Sequence, residues 1–449
     1  MSTWPFRFIH AGDFHLGQPL SGVSEVPDHL RELFLESPYT AARQVFEAAL
    51  VEDVNFVVLS GGILNPSISG PRGPLFLAEQ CTRLAERGIG VYWAGSPSDP
   101  TDAWPVGVRL PKNVHFFPRG QVEEVLVQGD GGPLTRLAGV SCAEQRAWRT
   151  SDFQPDAAGL YTIAVAHGEA DLAVLQTRGL HYWALGGRHN RSTPLCEKIT
   201  SLDAKGDSPI FADTKIGTVP AGVGSEPVPT RSPQTGPQVV HYCGTPQGRR
   251  PDETGIHGCT LVQIDEQHQT RTSLIPTDAA RWMNERLLVD EMTVAEDLEA
   301  RLRERMHTLL ESMPTTALLV SWKIAGRGPL LGSLRRGGVG TQLLDRLRGD
   351  YGYRSPAAWS VSLEVELSDT LPPEWYEQET IRGDFLRAIR QLQMNSEEPI
   401  TLEQYLAEPH RAGMLAAAVA LADKPSRDAV LREAAALGVD LLSGEEPHA

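Results

Sequence analysis

Hydrophobic residues recur over the first hundred positions as short apolar runs separated by helical stripes. The runs Phe6–Ala11, Phe56–Leu59 and Gly90–Ala94 read as buried strands, with helical spacing from about Thr40 to Val51 and from Leu75 to Arg87. That order, β-α-β-α-β, predicts a mainly parallel sheet. Apolar runs at Leu137–Val140, Tyr161–Ala166, Tyr182–Leu185 and Val239–Tyr242 extend the sheet region to about residue 285. Between Asp203 and Gln238, six prolines and five glycines fall within 36 residues of weak periodicity, the pattern of a mobile surface insertion.

A second unit starts near Glu291. Thr293 and Glu296 have the spacing of a capping box, and Leu298, Leu302, Leu309 and Leu310 share one helical stripe. Thr316–Ala325 reads as a strand, and Trp359, Val361, Leu363, Val365 and Leu367 alternate with polar residues as in a half-buried strand. A helix carrying Ile381, Phe385, Ile389 and Leu392 completes an α+β module. Two more helices are expected at Leu402–Asp423 and Arg427–Leu437, the first with an apolar face of Met414, Leu415, Ala418, Val419 and Leu421. That face suits a partner helix or the module itself. The expected domains are 1–285, 286–395 and 396–449.

Composition narrows the picture. A length of 449 residues favours several domains, and 41% hydrophobic with 22% charged residues is ordinary for a globular chain. No secretory signal is legible near the amino terminus, and the longest weakly polar run, Ala412–Ala422, falls short of a membrane span. Cys81, Cys142, Cys196, Cys243 and Cys259 are odd in number and form no C-x-x-C pair, so buried thiols in a reducing cytoplasm are expected. The formal charge of −16 excludes indiscriminate phosphate binding by the whole surface. Basic residues nevertheless concentrate locally. Lys323, Arg327, Arg335, Arg336, Arg346, Arg348 and Arg354 outnumber Asp345 and Asp350 by five between Ser321 and Arg354, a candidate DNA-binding patch or a solvated helix face.

The chemistry-bearing residues sit where strands end, which is where open α/β sheets place their sites. The first run ends in Asp13-Phe-His15, the second in Gly61-Gly62, the third in Gly95-Ser96-Pro97-Ser98-Asp99. Later runs end in His167-Gly168 and Gly186-Gly187-Arg188-His189. In order, these segments resemble the motifs of the calcineurin-like metallophosphoesterases, D-x-H, G-D, G-N-H-D, H-G and G-H-x-H. The closing run from Tyr242 through Gln247, Arg249, Glu253 and Gly255 to Gly258 resembles the SbcD and YhaO type of DNA-repair exonucleases. The likeness covers about residues 6–285 and is looser beyond.

The resemblance implies an α/β sandwich of the metallophosphoesterase type, followed by a smaller α+β capping domain and C-terminal helices. It also implies two manganese ions, DNA as substrate and an SMC-like coiled-coil ATPase as partner. Carried over position by position, it makes Asp13, His15 and His189 ligands of one metal and His167 a ligand of the other. Against the motif, Gly62 replaces the bridging aspartate, Ser96 the asparagine ligand, Pro97 the catalytic histidine and Gly187 a further histidine ligand. A shifted register rescues one position through Asp99, two residues beyond Pro97, but no one-residue shift restores all four. Glycine offers no donor atom and proline shuttles no proton, so the two-metal site is degenerate and nuclease activity is expected to be absent or strongly reduced.

Asp13, His15 and His189 remain readable as a mononuclear site or as a polar network, and His167 as a hydrogen-bonded histidine. The expected cofactor is therefore none or a single divalent metal, manganese if any. The expected role is a DNA-binding or scaffolding pseudoenzyme, with a single-metal phosphodiesterase as the alternative. No membrane partner is expected, and homodimerisation stays open.

Overall fold

The computed structural model describes residues 4–129, 131–142, 148–193, 238–366, 371, 373–395 and 424–442. Nearly all of the expected insertion, the expected helix at Leu402–Asp423 and Cys196 lie outside these residues. The chain divides into two compact units, 1–282 and 283–449.

The first unit contains β1 (Phe6–Ala11), α1 (Arg31–Val51), β2 (Phe56–Leu59), α2 (Pro66–Ser69), α3 (Arg72–Ala85), β3 (Gly90–Trp93) and β4 (Val114–Phe116). It continues with β5 (Glu123–Gly129), β6 (Gly132–Gly139), β7 (Thr162–His167), α4 (Leu172–Gln176), β8 (Tyr182–Gly186), β9 (Val239–Tyr242), β10 (Gly258–Ile264) and β11 (Thr270–Pro276). The strands form not one sheet but two, ordered β11-β10-β1-β2-β3-β4 and β5-β6-β7-β8-β9. Strands β1 to β4 run parallel to one another, as do β6 to β9, while β10 pairs antiparallel with β1 and β11, and β5 with β6.

Alternation along β1 explains the layering. Phe6 and Phe8 join Phe56, Ile163, Val165 and Tyr182 in a core between the sheets, whereas Ile9 and Ala11 point to the opposite face and pack with residues of α1 and α3. Both faces are buried, which is why these strands read as unbroken apolar runs. The Phe8 and Phe56 rings stack with centroids 4.9 Å apart, a contact worth about 0.5–1.5 kcal/mol beyond burial alone. His10 breaks the apolar row. It is fully buried and bonded to Tyr182 Oη and Ser60 Oγ, each at 3.1 Å, and burial lowers its pKa to about 3.

The α1 helix begins nine residues before the expected Thr40 and carries Pro38 in its interior. Proline forfeits one helical hydrogen bond there, but Phe34, Val45 and Phe46 are buried along the same helix and hold both halves. The four described cysteines are all buried, as expected. No described helix is long and apolar enough to cross a membrane.

In the second unit, β12 (Ala280–Val289), β13 (Ala317–Gly326) and β14 (Ala358–Val365) form one sheet in that order, with β13 and β14 parallel. Helices α5 (Ala295–Ser312), α6 (Pro329–Arg335) and α7 (Gly338–Tyr351) cover it, with Leu298, Leu302, Met306, Leu318, Trp322 and Leu347 among the core residues. The expected capping box is not formed. Thr293 Oγ1 instead donates to Asp290 Oδ1 at 2.7 Å, and the helix begins two residues later. After α8 (Pro373–Tyr376), helices α9 (Ile381–Met394) and α10 (Lys424–Leu442) pack through Leu386, Ile389, Leu431, Ala435 and Val439. The described part of the expected third domain thus belongs to the second unit.

Candidate metal centre

Parallel strands present their carboxyl ends together, and the loops beyond them are cross-linked by hydrogen bonds. Asp13 N–H donates to Gly61 O and His15 N–H to Gly62 O, both at 2.8 Å, joining the β1 and β2 loops. Gly187 N–H donates to Asp13 Oδ2 at 2.7 Å and His167 Nδ1 bonds Ser60 O at 2.9 Å, joining the two sheets. Asp13 and His15 adopt left-handed backbone angles, φ 54° and 49°, which cost roughly 1 kcal/mol or more each outside glycine. The bonds to Gly61 and Gly62 hold them there, and the strain aims both side chains at the same point.

Asp13, His15 and His189 are brought together. One ligating atom from each lies within 4.8 Å of the others. Asp13 is buried, and burial, the largest influence, pushes its pKa up to about 6 against the pull of His167, Gly187 N–H and His189. Burial also lowers His15 to about 3, reinforced by the Arg249 charge, so its imidazole is neutral and fit to ligate. His15 Nε2 and His189 Nε2 face each other at 3.2 Å.

Glu253, unassigned by motif reasoning, supports the third ligand. Its Oε1 accepts from His189 Nδ1 at 2.7 Å, which leaves the lone pair of His189 on the nitrogen facing the site. Burial opposes the Glu253 carboxylate, but hydrogen bonds from His189 and Arg249 N–H outweigh it and hold the pKa near about 2. A carboxylate behind a ligating imidazole is a recurrent arrangement in metal sites. The donor set fits one divalent cation.

Among the described residues no second group of three donors gathers beside it. Gly62 sits at φ +70°, and a Cβ there would lie 2.4 Å from Asp13 Oδ1 and 2.9 Å from its Cα, so no side chain enters without displacing Asp13. Gly187 has φ +94°, and its would-be Cβ lies 3.4 Å from His167 Nε2. His167 therefore lacks the neighbouring imidazole, and among the described residues it joins no group of three donors. Ser96 is buried with its hydroxyl bonded to Asp99 and Ser98, while Pro97 is exposed.

Asp99 has a role that motif alignment did not assign. Its buried carboxylate accepts from Gly62 N–H at 2.9 Å, Ile63 N–H at 3.2 Å, Trp93 Nε1 at 3.1 Å and Ser96 N–H at 2.9 Å. It clamps the loop whose carbonyls position Asp13 and His15. Burial raises its pKa, opposed by hydrogen bonds from the Ser96 hydroxyl, Ser96 N–H and Ile63 N–H.

In the second unit, Lys323, Arg327, Arg336 and Arg354 are exposed and Arg335 is half-buried. Arg346 pairs with Glu299. Arg348 donates to Ser360 O and Val361 O and lies over the Trp359 ring.

Over 198 residues the chain is 30% identical to an uncharacterized metallophosphoesterase of Bacillus subtilis, YhaO, a stretch covering 41% of this chain and 48% of that protein. The chain thus spans about half the length of the curated relative it matches. No family model matches the chain. The likeness accords with the fold, a mixed α/β architecture of the metallophosphoesterase kind.

Proposed function

We propose that the chain is a metallophosphoesterase relative of the SbcD and YhaO type. In this reading it keeps one divalent-cation site, lacks two-metal phosphodiester hydrolysis, and binds DNA or serves as a scaffold beside an SMC-like ATPase. The observation carrying this proposal is the backbone at Gly62. A bridging carboxylate belongs there in the family pattern, but the position is left-handed and shut by Asp13 itself, with a would-be Cβ 2.4 Å from Asp13 Oδ1. A two-metal site needs that bridge, and His167 alone does not replace it.

Asp13, His15 and His189 would hold the remaining cation, with Glu253 orienting His189. When bound, such a cation supplies a Lewis-acidic centre that attracts phosphoryl oxygens. The oriented triad also favours a second reading, hydrolysis with one metal. The exposed cations Lys323, Arg327 and Arg336 supply a means of contacting a phosphate backbone.

Incubating purified chain with linear duplex DNA and manganese separates these readings. The proposal expects salt-sensitive binding with the DNA left intact, and intact DNA again with Gly62→Asp. Arg335→Ala combined with Arg336→Ala should weaken binding and reduce the salt slope by about two. Manganese-dependent digestion abolished by His15→Ala would establish the single-metal reading instead, and salt-independent or absent binding would remove the DNA role.

A further inference from the structure

The loop after β9 brings a second side chain to the candidate metal centre besides Glu253. Arg249 is pinned by its backbone, its N–H donating to Glu253 Oε2 at 2.7 Å and its carbonyl accepting from Ser21 N–H at 2.8 Å. One end of its guanidinium is also fixed, since Nη1 donates to Gln18 Oε1 at 2.6 Å. Gln18 in turn is tied to the metal loop, its N–H donating to His15 O at 3.0 Å.

The other edge has no partner. Nε is buried without a hydrogen bond, Nη2 makes none among the described residues, and no described carboxylate lies within ion-pair distance of the group. Among other sheltered arginines, Arg281 is matched by Asp278 and Arg136 by Glu124, although Arg136 Nε and Arg178 Nε are likewise buried without a hydrogen bond. Burial depresses the Arg249 pKa, the attraction of Glu253 and Asp13 working against it. A guanidinium withdrawn from water with a donor unused is costly unless an anion completes it.

The chemistry of that anion follows from the donors. The Nε–Nη2 edge presents two parallel N–H groups matched to two oxygens of a carboxylate or phosphoryl group. A carboxylate would be used up by that edge, whereas a phosphoryl group keeps a further oxygen for a neighbouring cation. A divalent ion and Arg249 together outweigh Asp13 and Glu253 in charge, so the centre favours an anionic ligand.

We propose that Arg249 is the phosphoryl-recognising residue of this site, its Nε–Nη2 edge binding two oxygens of a phosphate group drawn to the cation that Asp13, His15 and His189 would hold. The proposal rests on the single-cation reading above. Gln18 acts as a positioning residue, holding the guanidinium at the correct angle.

Calorimetric titration of the full chain tests this, with orthophosphate, a 5′-phosphorylated oligothymidylate and the same oligonucleotide with a 5′-hydroxyl as probes. In manganese, Arg249→Gln should weaken phosphate binding by about 10-fold or more, because hydrogen bonds to charged groups are strong. Arg249→Lys should recover only part of it, lacking the two-pronged edge, and Gln18→Leu should fall between wild type and Arg249→Gln. Manganese affinity and the unfolding midpoint should stay close to wild type, showing that the loss is not one of folding.

A preference for the 5′-phosphorylated strand that vanishes in Arg249→Gln identifies a nucleic-acid end as the source of the phosphate. An Arg249-dependent response to orthophosphate alone identifies a small phosphate compound. Equal phosphate affinity in wild type and Arg249→Gln, with fold and manganese binding intact, overturns the proposal. If the chain takes up no manganese, the single-cation reading fails separately. The Arg249 claim is then decided in EDTA, where wild type must still bind phosphate more tightly than the variant.

Discussion

Asp99→Ala is expected to lower the folding stability by about 3–5 kcal/mol, read as a fall in the denaturant midpoint at unchanged slope. The substitution leaves three backbone N–H groups, at Gly62, Ile63 and Ser96, and the Trp93 indole without their acceptor in a buried region. Each buried donor left unpaired costs about 1–3 kcal/mol, and water entering the gap recovers part of the sum. Asp99→Asn keeps one acceptor oxygen and should cost roughly half as much. The effect should extend to the metal centre, because Gly61 O and Gly62 O hold the amides of Asp13 and His15 in their left-handed conformation. Slackening that loop releases the aim of both ligands. A variant with an unchanged midpoint would mean that the Asp99 carboxylate does not clamp the loop.

His189→Ala should reduce manganese affinity by at least about 100-fold, since removing even an outer-sphere partner of a ligand typically costs 10–100-fold. Glu253→Gln should give the smaller loss, about 10-fold, by weakening the bond that orients His189. Calorimetry with manganese measures both, and near-ultraviolet circular dichroism confirms that the fold is kept. The graded order matters more than either value. If Glu253→Gln has no effect while His189→Ala abolishes binding, the carboxylate is only structural. If neither changes binding, the cation lies elsewhere and the triad is a polar network.

Much of this site was legible in the sequence because a strand end fixes where its next residues go. Asp13, His15, His167 and His189 each follow an apolar run by one to four positions; the first, second and fourth gather beyond the parallel strands, and His167, the last residue of β7, lies 3.9 Å from Asp13 Oδ1. The glycines at 62 and 187 were equally plain, but not why position 62 admits no side chain. That depends on φ and on a 2.4 Å approach to Asp13, neither of which a residue name carries. Asp99, Glu253 and Arg249 act through contacts 36 to 231 positions away along the chain, beyond the reach of local periodicity.

Periodicity alone did not divide the strands between two sheets, since strands buried on both faces look alike in either; the expectation of a sandwich came from the family resemblance. Thr293 misled in the other direction. Its spacing from Glu296 is a strong local signal, but Asp290 takes the threonine hydroxyl that would have capped α5.

Three donors converge and, among the described residues, no second cluster does. Equilibrium dialysis against manganese, followed by elemental analysis of the full chain, measures this directly. One ion per chain, lost on Asp13→Ala, is the predicted result. Two tightly held ions per chain would contradict it.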